Sequence, residues 1–297
     1  MATYSEEQLE LYLQHIKYPR HKHPANRLQF LTGLVRHHQA RVPFDSIALH
    51  YSPTRLLSLD PEDLFQKIVT NSRGGYCMEV NRLFATVLRT LGFQLYSCAG
   101  RVKHKKMSHM VNLVTIEGKK YLVDVGFGSQ EATQPIPLEE GYEVTTIAPT
   151  RGRLELKHIE KQATKDDPRQ RLWVWASRRN DDDGAAGWED MYSFSEAEVF
   201  AEDFEVLNYF VMTRPQSPFV QGVIAYRPVM DEGTGELVAE RILNRNVVKE
   251  GESGRHRILE TLETEEDRVR ALGEYFDIHL TEKERKSIQG LASELKG

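Results

Sequence analysis

The sequence predicts an α+β protein in which helices come first and strands follow. Three observations carry this. Up to residue 91 the apolar residues recur at three- and four-residue steps, the period of helices that turn one face to a core. Beyond Gly92 they fall into short alternating runs, the period of strands. Residues 263–280 then return to a charged helical pattern with Val269, Leu272, Tyr275 and Phe276 on one side.

Each element has a local reason. Leu9, Leu11, Leu13 and Ile16 among glutamates read as a short helix capped by Ser5. Leu28, Phe30, Leu31, Leu34 and Val35 mark a second helix over 25–41. Pro43 forces extended or turning backbone in Val42-Pro43-Phe44-Asp45-Ser46. Asp60-Pro61-Glu62-Asp63 opens a third helix, with proline at a permitted first-turn position. Val80, Leu83, Phe84, Val87, Leu88 and Leu91 define a fourth, which starts near Cys77 and stops at Gly92. The first ninety residues thus form a helical bundle. Runs at 93–102, 109–116, 120–127, 154–160 and 171–176 read as strands, as do 222–227 and 237–248 later. Residues 178–190 form an exposed polar loop, aromatic and β-branched residues return from Phe204, and a last helix begins at Thr281.

With 297 residues, 40% of them hydrophobic and 28% charged, the chain has the composition of an ordinary soluble globular protein. A net charge of −5 gives no reason to expect nucleic acid. The N-terminus is acidic and amphipathic, unlike a secretory signal, and no apolar run approaches the roughly 20 residues of a membrane span, so a cytoplasmic protein without a membrane partner is expected. Cys77 and Cys98 are too few for a disulfide framework and are not spaced for zinc. His21, His23, His37 and His38 lack cysteine or carboxylate neighbours in ligand spacing and read as solvated or capping, and the aspartates at 181–183 lack the glutamate that closes a calcium loop. No metal site is expected.

The stretch Arg73-Gly74-Gly75-Tyr76-Cys77-Met78-Glu79-Val80-Asn81 organises the chemistry. Gly74 and Gly75 allow a sharp turn with open space beside the sulfur, and Cys77 falls on the first turn of a helix, where partial positive charge favours the thiolate. The alternative is an inert buried cysteine, which is the reading given to Cys98 in its strand. A cysteine nucleophile needs a base and a group to orient it. If Glu117-Gly118 is a two-residue hairpin turn, Ile116 faces Lys119, Val111 faces Asp124, and His109 shares a sheet face with Asp124 as its diagonal neighbour. A slip of one residue would separate them.

These residues resemble the signatures of arylamine N-acetyltransferases: the Arg73–Asn81 motif, His109, Val123-Asp124-Val125-Gly126-Phe127-Gly128, Val42-Pro43-Phe44-Asp45-Ser46, and Thr213-Arg214-Pro215-Gln216-Ser217-Pro218-Phe219. The resemblance implies a helical bundle over 1–92, a central β-barrel over 93–203 with an insertion near 178–190, and a C-terminal α/β lid over 204–297. It also implies a cysteine-protease-like triad of Cys77, His109 and Asp124, and an amine pocket of Phe44, Val102 and Phe127. Thr213, Ser217 and Phe219 match the segment near the coenzyme. Lys105 and Lys106, in a stretch more basic than many members carry, suit coenzyme A phosphates or a malonyl carboxylate, with a solvated basic turn as the bland alternative. No tightly bound cofactor is implied. Acetyl-CoA or another acyl-CoA, propionyl or malonyl included, serves as co-substrate, and small aromatic amines or hydrazines as acceptors, in detoxification. A cysteine hydrolase or transglutaminase-like enzyme, and a non-catalytic binding protein, stay open as alternatives, as does the oligomeric state.

Overall fold

In the computed structural model, which describes residues 2–179, 187–252 and 254–297, capping begins at the first helix. Ser5 and Gln8 cap α1 (Glu6–His15) reciprocally, and the Asn26 side chain accepts from the Gln29 amide at the start of α2 (Arg27–Arg41). A two-residue strand β1 (Phe44–Asp45) and the turn α3 (Ala48–Tyr51) precede α4 (Pro61–Phe65), which Asp60 caps. Helix α5 (Cys77–Thr90) follows, and Gly92 ends it in the left-handed region. Every residue from Cys77 to Leu88 except Arg82 is buried in α5. Its Val80, Phe84 and Val87 share a core with Leu13 of α1, Leu34 of α2 and Leu64 of α4.

Eight antiparallel strands form the central sheet: β2 (Gln94–Val102), β3 (Met107–Ile116), β4 (Lys119–Val123), β5 (Ile136–Pro137), β6 (Tyr142–Thr145), β7 (Arg151–Lys157), β8 (Leu172–Arg178) and β9 (Glu189–Phe194). Their spatial order is β5-β4-β3-β2-β9-β8-β7-β6. Ile136 at one end and Tyr142 at the other pack into the same core with Leu154 and Trp175, so the sheet is rolled upon itself. The two end strands do not pair with each other among the described residues, which makes a nearly closed, barrel-like sheet rather than a full barrel.

After α6 (Ala201–Thr213) and the turn α7 (Pro218–Gln221), strands β10 (Ile224–Met230), β11 (Leu237–Asn244), β12 (Val247–Glu252) and β13 (Arg255–Thr261) build a second sheet, followed by α8 (Glu265–Phe276) and α9 (Glu282–Lys286). The edge of this sheet is β1, paired with β10 through Phe44–Tyr226 and Asp45–Ala225. A strand from the first fifty residues therefore belongs to the C-terminal sheet.

Some expectations needed correction. The run 237–248 is two strands, folded at a turn where Arg245 adopts a φ of 59°. The aromatic segment from Phe204, for which the sequence predicts no element, is helical, burying Phe204, Asn208, Val211 and Met212 on one face. The strand expected over 120–127 stops at Val123, because the Asp124 carboxylate accepts from the Gly126 amide two residues on and turns the chain out of the ladder. His38 is neither solvated nor a cap. It is buried, hydrogen-bonded to the Tyr12 hydroxyl, and burial lowers its pKa to about 3. Most of the expected loop at 178–190, including 181–183, lies outside the described residues.

Candidate active site

Cys77 is the first residue of α5, with Tyr76 as N-cap. The Glu79 carboxylate accepts from the Tyr76 amide at 3.2 Å and from Lys67 Nζ at 2.6 Å, which pins the turn. The two glycines before it are needed for another reason than open space. The Gly75 amide donates to Pro43 O and Gly75 O accepts from the Asp45 amide. A Cβ at Gly74 would strike the Pro43 carbonyl, and one at Gly75 the Glu79 side chain. The glycines thus let β1 press against the turn before Cys77, and neither has positive φ.

The hairpin places His109. Glu117 and Gly118 both have positive φ, the geometry of a two-residue type I′ turn, and Ile116 pairs with Lys119 and Asn112 with Val123. In this register His109 Nε2 lies 2.6 Å from Asp124 Oδ2, both residues being buried. Asp124 Oδ1 accepts from Asn81 Nδ2 at 2.9 Å and from the Gly126 amide at 3.0 Å. Asn81 also donates to Met110 O at 2.8 Å and accepts from the Val125 amide at 3.1 Å. One helix residue therefore ties α5 to β3 and to the turn after β4. The Cys77 thiol donates to Ser108 O at 3.4 Å, next to His109 in the chain. Phe127 and Tyr192 flank the imidazole, with ring centroids 5.3 and 4.8 Å away.

The electrostatics follow from this geometry. Burial alone would lower the His109 pKa, but the Asp124 carboxylate and then the Cys77 sulfur outweigh it and raise the value to about 10. Burial would raise Asp124, yet His109, Asn81 and the Gly126 amide hold it below its ordinary value. With Nε2 committed to Asp124, Nδ1 is the ring nitrogen left for the sulfur. By contrast, burial pushes the Cys98 thiol up to about 12, as suits a structural residue.

Two predictions arise here. A group whose folded pKa is raised contributes stability that is full below its unfolded pKa and lost as pH rises through the folded one. The His109 contribution should therefore be complete below about pH 6.5, decline above it and vanish above about 10. Denaturant midpoints of wild type against His109→Asn across that range check it: identical slopes would contradict the assigned protonation. Gly126 packs so closely on α5 that an added Cβ would strike Val80 and lie 3.1 Å from Cys77 Cα. Gly126→Ala should cost about 1–3 kcal/mol by overpacking, measurable by chemical denaturation.

Cys77 and His109 open into a cavity of about 530 Å³. Of the residues expected from the sequence, Phe44, Val102 and Phe127 line it, as do Lys105, Lys106, Ser217 and Phe219. Thr213 does not: it is exposed, its hydroxyl donating to Tyr209 O. Ser217 is buried and its hydroxyl has no partner among the described residues, so the cavity holds a hydrogen-bonding group for a ligand to complete. A larger depression of about 1020 Å³ beside α8 and α9 includes none of Cys77, His109 or Asp124. Asn81, Tyr192, Phe210 and Arg214 went unassigned in the sequence. Asn81 closes the cysteine motif, and Arg214 sits inside a quoted segment, so position alone offered a signal.

The family model for N-acetyltransferases matches residues 27–285. The N-malonyltransferase FDB2 of Fusarium pseudograminearum is 34% identical to the chain over 316 residues, covering 96% of this chain and 92% of the relative. Arylamine N-acetyltransferase 1 of Homo sapiens is 29% identical over 225 residues, covering 71% and 74%. Among solved structures, the Mycobacterium marinum arylamine N-acetyltransferase in complex with CoA superposes with a TM-score of 0.75 at 28% identity, covering 94% of this chain and 98% of that one. Fold and matches together define an N-acyltransferase class. Within that class, the chain belongs to the arylamine N-acetyltransferase family.

Proposed function

We propose that the protein is an acyl-CoA-dependent arylamine N-acyltransferase working through an acyl-cysteine. The observation that carries this reading is the 2.6 Å contact between His109 and the buried Asp124, with His109 and Cys77 lining one cavity. In the first half-reaction the Cys77 thiolate attacks the thioester carbonyl of acyl-CoA. The bond from the acyl carbon to the coenzyme sulfur breaks, and the imidazolium of His109 supplies the proton to the departing thiolate. In the second, an aromatic amine or hydrazine attacks the acyl-cysteine and His109 takes its proton. The bond to Cys77 breaks, releasing the amide and restoring the thiolate. The Cys77 and Met78 amides, which precede the first bonds of the α5 ladder, from Glu79 and Val80 to Tyr76 O, are suited to the developing oxyanion.

Coenzyme A would lie along the cavity wall that carries Lys105, Ser217 and Phe219, and the amine against Phe44, Val102 and Phe127. The flat aromatic walls favour a flat acceptor. The relative named as a malonyltransferase puts malonyl beside acetyl among the acyl groups. Among the described residues no helix is long and apolar enough to cross a membrane. Intact-protein mass spectrometry after mixing with acyl-CoA alone tests the scheme. One acyl group on Cys77, absent in Cys77→Ser, is expected; no gain in mass would refute the covalent route. Amide hydrolysis without coenzyme A would favour a cysteine hydrolase instead.

A further inference from the structure

We infer that Arg214 and Lys106 form a cationic clamp that selects acyl donors whose acyl group ends in a free carboxylate, as malonyl does. The inference rests on the transferase reading above. Charge at the cavity is one-sided: Lys103, Lys105, Lys106 and Arg214 line it and no aspartate or glutamate does, in a chain whose net charge is −5. Lys103 is paired with Glu189. Neither Lys106 nor Arg214 has a carboxylate at ion-pair distance among the described residues.

Both cations are gathered on one ring. Lys106 Nζ lies 4.9 Å from the centroid of Phe210, and the guanidinium carbon of Arg214 lies 5.4 Å from it. Such contacts hold a long cation in place without neutralising it. Arg214 Nε donates to Gln216 Oε1 at 3.1 Å, which leaves the terminal nitrogens to grip a planar anion. The Ser217 amide donates to Arg214 O, so the unpartnered Ser217 hydroxyl rises from the same turn.

An acetyl group offers these cations nothing. Malonyl extends a carboxylate two carbon–carbon bonds, about 2.5 Å, past the thioester carbonyl. A cavity of 530 Å³ is about 10 Å across if taken as round, so a long side chain on its wall can meet that carboxylate while the carbonyl sits at Cys77. The phosphates of coenzyme A carry the same kind of charge, but every acyl-CoA has them. Contact with phosphate would therefore affect all donors alike, and contact with the acyl carboxylate would affect malonyl alone.

The test is the rate of Cys77 acylation by malonyl-CoA and by acetyl-CoA, followed by intact mass, in wild type, Arg214→Gln, Lys106→Met, the double variant and Arg214→Lys. The malonyl-to-acetyl rate ratio should fall about tenfold or more in Arg214→Gln, as expected for a lost charge-assisted hydrogen bond. It should fall further in the double variant and recover in part in Arg214→Lys. A ratio unchanged within about twofold, whether both rates drop or neither does, overturns the clamp. Lys106 is exposed, so Lys106→Met keeps the question answerable even if Arg214→Gln misfolds. Wild type that takes no acyl group from either donor would refute the transferase reading, and the clamp with it. Acylation at an unaltered ratio refutes the clamp alone.

Discussion

Asp124→Asn is expected to lower kcat/KM by about 1,000- to 10,000-fold while the protein stays folded. The cause is a lost acceptor for one ring N–H. Asp124 Oδ1 faces two donors, Asn81 Nδ2 and the Gly126 amide, and Oδ2 faces His109 Nε2. An asparagine would keep its oxygen toward the two donors and turn its NH₂ group to the imidazole. Nε2 would then have to accept rather than donate, so the imidazolium that pairs with the Cys77 thiolate would no longer be held and the thiol would keep its proton. The same change removes the carboxylate that holds His109 up near 10. Single-turnover acylation of Cys77 measures the effect directly. A variant within threefold of wild type would mean that Asp124 only fills space.

Asn81→Ala should be the more damaging to stability, at about 2–6 kcal/mol, because it orphans two buried partners at about 1–3 kcal/mol each. Met110 O loses its donor and the Val125 amide loses its acceptor. Asp124 keeps its bonds to His109 and Gly126 but is no longer tied to α5, so acylation should slow by about 10- to 100-fold as the imidazole drifts from the sulfur. Because Asn81 acts through Asp124, the double variant with Asp124→Asn should lose little more activity than Asp124→Asn alone, while its stability falls further. Additive losses in activity would instead point to a direct part for Asn81.

What the sequence made legible was local and periodic. The cysteine helix could be read because its apolar face repeats from Val80 to Leu91 and Gly92 stops it. The His109–Asp124 juxtaposition was readable because a two-residue turn fixes a hairpin register, and side chains alternate along it. Three things were not readable. Asn81 meets Asp124 across 43 residues, and a single asparagine in a helix gives no sign of which strand it will reach. The pairing of β1 with β10 joins residues about 180 apart and is only two residues long, below any periodic signal. The roles of Phe210 and Arg214 depend on how α6 is laid across the cavity, a matter of tertiary packing.

The short strand β1 has a mechanical consequence. Phe44 bridges to Gly75 on one side and pairs with Tyr226 on the other, while its ring meets Phe219 at 5.8 Å. Two residues thus work as a rivet through the turn ahead of the sulfur and the distant sheet. Anything that loosens that sheet, even a cut in a remote hairpin, would slacken the seat of Cys77. Conversely, cargo loaded on the sulfur would be felt as slower amide exchange at Ala225 and Tyr226.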